Sequence, residues 1–254
     1  MYRLDRFAEL TRPHGFFHGC STAEEGNLGF GHEPKVDVIA QRGRFTRAVH
    51  PDFHLVLGVG MVPMQPGREE VIALVGSSQQ GCGMVEPFSG PFAEALIARE
   101  SFLFVASGDC PTIFLCDPVT RHFAIVHASR ESSVREITRR TIEYMDLVGV
   151  NPFDLIAGIG PGIRQESYVL QTFAPAAAAD SPWGPFCRVT DEGVAVDLIG
   201  FNRHLLIAAG VLPERIDVAD VDTFSDSRFA SYRRAKATGE PDWRHGSVLG
   251  FAAE

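Results

Sequence analysis

The sequence predicts an α+β fold with mixed sheets, and three observations carry that reading. Strand-like apolar runs and amphipathic helical stretches are interspersed along the chain. Two of the runs, TIFLC at 112–116 and HFAIVHA at 122–128, lie close enough across Asp117-Pro118 to form an antiparallel hairpin. The chain has 254 residues, 45% hydrophobic and 22% charged, enough apolar material for one large core. A single domain over residues 1–254 is therefore expected.

Residues 14–35, HGFFHGCSTAEEGNLGFGHEPK, are rich in glycine and polar residues and read as a long functional loop or irregular hairpin. Residues 36–46 read as a helix. HLVLGVGMV (54–62) and EEVIALVG (69–76) read as strands, 77–92 as a loop and EALIA (94–98) as a short element. SFLFVAS (101–107) precedes the hairpin. A helix is expected over 133–147, with Ser133 and Glu136 as a capping box, Val134, Ile137, Thr141 and Met145 as its buried stripe, and a Glu136–Arg140 pair. DLIAGIG (154–160) is a strand ending in the turn Gly160-Pro161-Gly162. Asp197 caps a helix reaching Ala209, followed by Gly210. RIDVAD (215–220) is a late strand, and the tail from 229 is basic and aromatic.

The formal net charge is -9 and no basic run occurs, which argues against nucleic acid or an anionic membrane as a partner. No apolar stretch approaches the roughly 20 residues that span a bilayer. The N-terminus lacks the apolar segment of a signal peptide. The five cysteines, Cys20, Cys82, Cys110, Cys116 and Cys187, are odd in number and widely spaced, so a reduced, cytoplasmic protein is expected.

With Pro118–Arg121 as a four-residue loop, Thr112 stands opposite His127. Cys110 is then the diagonal neighbour of His127 on the same face, roughly 7–8 Å away at Cα. One register slip would put the two on opposite faces. Such a pair has three readings: zinc ligands, a nucleophile with its base, or a buried thiol beside a core histidine.

The surrounding residues resemble the YfiH family, proteins first described as polyphenol oxidases or laccase-domain proteins and now associated with purine nucleoside phosphorylase and adenosine deaminase activity. HGFF…GNLGFG (14–31) is similar to the family's opening glycine-rich loop, with its asparagine at Asn27. AQRGRF (40–45) is similar to its first long helix, with Arg42. SGDCPTIFLCD matches its central block at Asp109, Cys110, Pro111 and Asp117. AIVHA matches the strand ending in a metal histidine, here His127. IGPGI, YVL, VDLIGFNRHLLIAAGV and FASYRR match later blocks. The resemblance implies a four-layer α/β/β/α arrangement and a His-Cys-His zinc site beside a pocket for a purine nucleoside and phosphate. It implies Cys110 and His127 as zinc ligands, Cys110, His127 and Asp109 as catalytic residues, and Asn27, Arg42, Arg233 and Arg234 as substrate or phosphate contacts. Copper is less fitting, since no His-x-His pattern occurs.

Two departures stand out. The family's first metal histidine falls on a glycine here, whether Gln65-Pro66-Gly67 or Gln79-Gln80-Gly81 is matched to its motif. The family's HaGWRG reads His127-Ala128-Ser129-Arg130-Glu131-Ser132. A replacement third ligand could come from Cys82 or His18. Three functions follow as expectations: a zinc-dependent purine nucleoside enzyme; a metal-free thiol hydrolase, since the family's fold resembles that of the cytotoxic necrotising factor toxins; or a family member that binds a nucleoside without turnover.

Overall fold

The structure, a computed structural model, describes residues 1–63, 71–177 and 180–252. The chain opens with helix α1 (Asp5–Thr11), strand β1 (Phe16–Cys20) and helix α2 (Lys35–Val49). Strands β2 (Gly58–Gly60), β3 (Ile72–Leu74), β4 (Ala95–Ala98) and β5 (Phe102–Ser107) follow. The hairpin is β6 (Thr112–Cys116) and β7 (Phe123–His127). Helices α3 (Arg130–Val134) and α4 (Ile137–Leu147) lead to β8 (Ile156–Ile159). Strands β9 (Val169–Leu170), β10 (Cys187–Thr190) and β11 (Gly193–Val196) precede α5 (Leu198–Ala208). The chain closes through β12 (Ile216–Val218), α6 (Tyr232–Thr238) and β13 (His245–Phe251).

Two mixed sheets dominate. One runs β1-β13-β5-β2, the other β12-β8-β6-β7-β4-β3, and a small third runs β10-β11-β9. Alternation along the strands builds the layers, because successive side chains point to opposite faces. Leu103, Val105 and Leu249 of the first large sheet meet Phe114, Cys116, Phe123 and Ile125 of the second in one core. On the far face of the six-stranded sheet, Ile113, Leu115, Ala124 and Val126 pack on Ile137, Ile142 and Met145 of α4 and Ile199 and Leu206 of α5. On the far face of the four-stranded sheet, Phe102, Phe104 and Val248 pack on Phe45 and Val49 of α2. The order is therefore helix, sheet, sheet, helix. Among the described residues no helix is long and apolar enough to cross a membrane.

The hairpin takes the register its spacing requires, with Thr112 opposite His127 and Cys116 opposite Phe123. Other elements differ from expectation. The helix over 133–147 is two helices. Ser129, directly after β7, caps α3 by accepting the Ser132 N–H, so helix begins as soon as strand ends. Glu136 then adopts φ 59 at the joint before α4. It pairs with Arg139 instead of capping Ser133, and Val134 lies on the exposed side. The loop over 14–35 carries β1, and only Gly58–Gly60 of the run at 54–62 is strand. FASYRR opens α6, capped by Ser231. β13, unexpected from the sequence, is a central strand between β1 and β5.

Candidate active site

The site grows from the open end of the β6–β7 hairpin. β7 lies between β6 and β4, with Val126 opposite Ala95, and the His127 N–H donates to the Glu94 carbonyl. Glu94 thereby stands beside the last residue of β7. Its carboxylate Oε2 lies 2.7 Å from His127 Nδ1, and both side chains are buried. With Nδ1 held, Nε2 is the nitrogen left to face the Cys110 sulfur, which lies beside the ring. Burial pulls the imidazole's pKa down, but the Cys110 sulfur and the Glu94 carboxylate outweigh it and raise it to about 10.

Asp109 holds the turn that presents Cys110. It is not a glycine, yet its φ is +77, a left-handed conformation that asparagine and aspartate tolerate best. The Thr223 hydroxyl donates to Asp109 Oδ1 at 2.7 Å, and the Arg233 backbone N–H donates to Oδ2 at 2.7 Å. The Ile163 N–H donates to its carbonyl. These bonds tie the turn to three segments far away in sequence. The Cys110 carbonyl accepts the Ser107 hydroxyl.

Cys110, His127, Glu94 and Asp109 open on a cavity of about 770 Å³, within the usual size for small-molecule sites. Ile163, Leu170 and Leu198 give it an apolar side, and Tyr168 and Tyr232 add aromatic surface. Arg130 and Arg135 enter from α3 and its end, and Arg233 and Lys236 from α6. Glu131 and two serines, Ser129 and Ser132, complete the polar rim.

Of the substrate contacts implied by resemblance, Arg233 lines this cavity and Asn27, Arg42 and Arg234 do not. Asn27 is fully buried and braces its own loop: its amide donates to the Gly29 carbonyl, and its Oδ1 accepts the Gly29 and Arg244 N–H groups. Arg42 donates to the carbonyls of Leu28, Gly83 and Met84 and lies between the rings of Phe30 and Phe104. Burial lowers its pKa to about 9. Arg234 donates to the carbonyls of Thr223, Phe224 and Phe229 and pairs with Glu240.

The alternative third ligands also sit elsewhere. His18 is a core residue whose Nε2 accepts the Leu4 N–H at 3.0 Å, packed edge-on against Phe7 and Phe114. Cys82 lies in the loop after Ser77–Gln79, where its carbonyl accepts the Gly60 N–H. Gly81 is a turn residue at φ +82, while Gln65-Pro66-Gly67 falls outside the described residues. Among the described residues no group of three metal-donor side chains converges. A thiol and an imidazole are donors a zinc ion accepts, but a catalytic zinc takes three protein ligands. Glu94 is engaged behind the imidazole. Among the described residues the donor set therefore falls short of a metal centre.

Sequence reasoning passed over Glu94, Arg135, Tyr168 and Lys236 as site residues. Tyr168 stood within a matched block, YVL. Glu94 had no signal, because its place depends on β4 pairing with β7 some thirty residues on.

Purine nucleoside phosphorylase YlmD of Bacillus subtilis is 30% identical over 54% of this chain and 51% of its own length. A purine nucleoside phosphorylase of Deinococcus radiodurans is 32% identical over 43% of each chain. The chain thus spans about half the length of the curated relatives it matches. The crystal structure of YlmD from Geobacillus stearothermophilus superposes with a TM-score of 0.81 at 23% identity, covering 94% of this chain and 93% of that one. The hypothetical protein YfiH of Bacillus licheniformis gives 0.80 at 21% identity over 93% of both chains. These two show a shared fold. The family described as multi-copper polyphenol oxidoreductase laccase matches residues 11–244, and the chain belongs to that family, the YfiH family.

Proposed function

We propose that the cavity binds a purine nucleoside beside inorganic phosphate and that the chain cleaves the nucleoside by phosphorolysis. One observation carries this reading: four cationic side chains and a buried imidazole held by a carboxylate meet in a single cavity. The names of the curated relatives support the choice of substrate.

The chemistry follows from the residues. A phosphate oxygen forms a bond to ribose C1′ while the C1′–N9 bond breaks, and the departing purine takes up a proton at N7. Arg130, Arg233 and Lys236 hold the phosphate by charge-assisted hydrogen bonds. His127, held by Glu94 on one side and Cys110 on the other, supplies the proton through Nε2. Asp109 keeps Cys110 and the start of α6 in place through its bonds to Thr223 and Arg233. Zinc is the metal that a thiol and an imidazole would suit.

The test is product analysis of the full chain with inosine, guanosine and adenosine, with and without phosphate. Free base and ribose 1-phosphate, formed only with phosphate, are the expected products. Inosine from adenosine without phosphate would mark deamination instead. No turnover of any of the three would overturn the reading.

The line Cys110–His127–Glu94 also favours a second reading, a thiol hydrolase in which the Cys110 sulfur attacks an acyl carbon and His127 protonates the leaving group. A covalent adduct on Cys110 after incubation with an activated ester, absent from His127→Asn, would support it. An unmodified thiol would exclude it.

A further inference from the structure

Tyr168 lies with two arginines that reach the cavity from separate helices. Arg130 begins α3, after β7, and Arg233 is the second residue of α6, about a hundred residues later. Tyr168 precedes β9 at the end of a turn in which its N–H donates to the Gln165 carbonyl. The Arg130 guanidinium lies beside the phenol oxygen, and a phenol O–H can donate as well as accept. The Arg233 guanidinium lies 5.4 Å from the ring centroid, inside cation–π range. Arg233 is fixed from behind as well, its backbone N–H on Asp109 and its side chain on the Val169 carbonyl. Lys236, three residues along α6, rests its ammonium 5.2 Å from the Tyr232 ring.

Arg130 and Arg233 thus meet at Tyr168, Arg130 beside its phenol oxygen and Arg233 over its ring, with the Arg233 side chain also on a backbone carbonyl. Two guanidiniums and an ammonium that line one cavity attract an anion. A tetrahedral oxyanion fits: it would accept from Arg130, from Arg233 and from the phenol O–H, with Lys236 at its rim. We propose that Tyr168 braces Arg130 and Arg233 into a seat for a phosphate-class oxyanion and donates its phenol O–H to the same anion. The inference deepens the phosphorolysis reading and rests on it only for phosphate as the anion.

The test uses the full chain and inorganic phosphate alone, followed by calorimetric titration, with Tyr168→Phe and Lys236→Met as variants. Inosine binding and thermal stability are measured on the same samples. Phosphate affinity should fall about tenfold in Tyr168→Phe, the loss of one charge-assisted hydrogen bond, and severalfold in Lys236→Met. Inosine affinity and thermal midpoint should stay unchanged. Where turnover is seen, KM for phosphate should rise with kcat held. A purely structural Tyr168 would instead lower stability and inosine affinity together, and that result overturns the inference. So does equal phosphate affinity in wild type and Tyr168→Phe. Failure of wild type to bind phosphate while it binds inosine removes the seat and leaves the nucleoside site standing. Phosphate binding that is weakened in Tyr168→Phe, with no nucleoside bound or cleaved, keeps the seat and removes the phosphorolysis reading.

Discussion

The carboxylate of Glu94 holds His127 by its Nδ1 at 2.7 Å, and both groups are buried in the wall of the cavity. A buried carboxylate and an imidazole that lie this close depend on each other. Removing one leaves the other desolvated and uncompensated.

Glu94→Ala should therefore destabilise the protein by about 2–4 kcal/mol, read from urea unfolding. Glu94→Gln keeps an acceptor for Nδ1 and should cost less. Both variants should lose at least about tenfold in nucleoside cleavage, because the imidazole loses the carboxylate that favours its protonated form. Wild-type stability and rate in Glu94→Ala would mean that the bond is incidental.

Asp109 combines a left-handed backbone with two accepted hydrogen bonds. Asp109→Ala keeps the strain and loses both bonds, and should cost about 2–3 kcal/mol. Asp109→Asn tolerates the same φ and retains an acceptor, so its loss should be smaller. Thermal unfolding of the two variants side by side checks the order. Asp109→Ala as stable as Asp109→Asn would show that the two bonds contribute little.

Much of this was legible in the sequence where the signal is local. The hairpin register followed from a short polar turn between two apolar runs, and it fixed Cys110 diagonal to His127. Asp197 signalled the start of α5, where its side chain accepts the Gly200 N–H. Non-local pairings were not legible. β13 is a short run broken by Gly246 and Gly250, and its place between β1 and β5 is set by strands more than a hundred residues away. The resemblance implied Arg42 and Arg234 as ligand contacts, but their donors end on backbone carbonyls. Only the folded chain shows where those carbonyls lie. Ser133 matched a capping pattern, but Ser129 captured the helix start four residues earlier, at the end of β7.

Acid should unfold the protein through its buried histidines. Burial lowers the pKa of His18 to about 3 and that of His245 to about 4. The unfolded chain then binds more protons than the native one below the ordinary histidine value of about 6.5. The stability these residues contribute is complete above that pH and is lost as pH falls towards 3–4, at up to about 1.4 kcal/mol per pH unit for each. His18→Gln can still accept the Leu4 N–H, and should unfold at a lower pH than wild type. An unchanged or higher acid midpoint, by circular dichroism, would contradict this.

Cys110→Ser removes the sulfur that stands against the imidazole while leaving the turn's backbone bonds intact. Nucleoside cleavage should fall by at least about tenfold with the thermal midpoint nearly unchanged, since the thiol is only half-buried. A midpoint lowered as far as that of a core variant would assign Cys110 to packing.

The most direct test is the rate of ribose 1-phosphate formation from inosine, compared between wild type and His127→Asn at saturating phosphate. The account predicts steady, phosphate-dependent product from wild type and at least about a hundredfold less from His127→Asn. Equal rates in the two proteins, or no product from wild type, would contradict it.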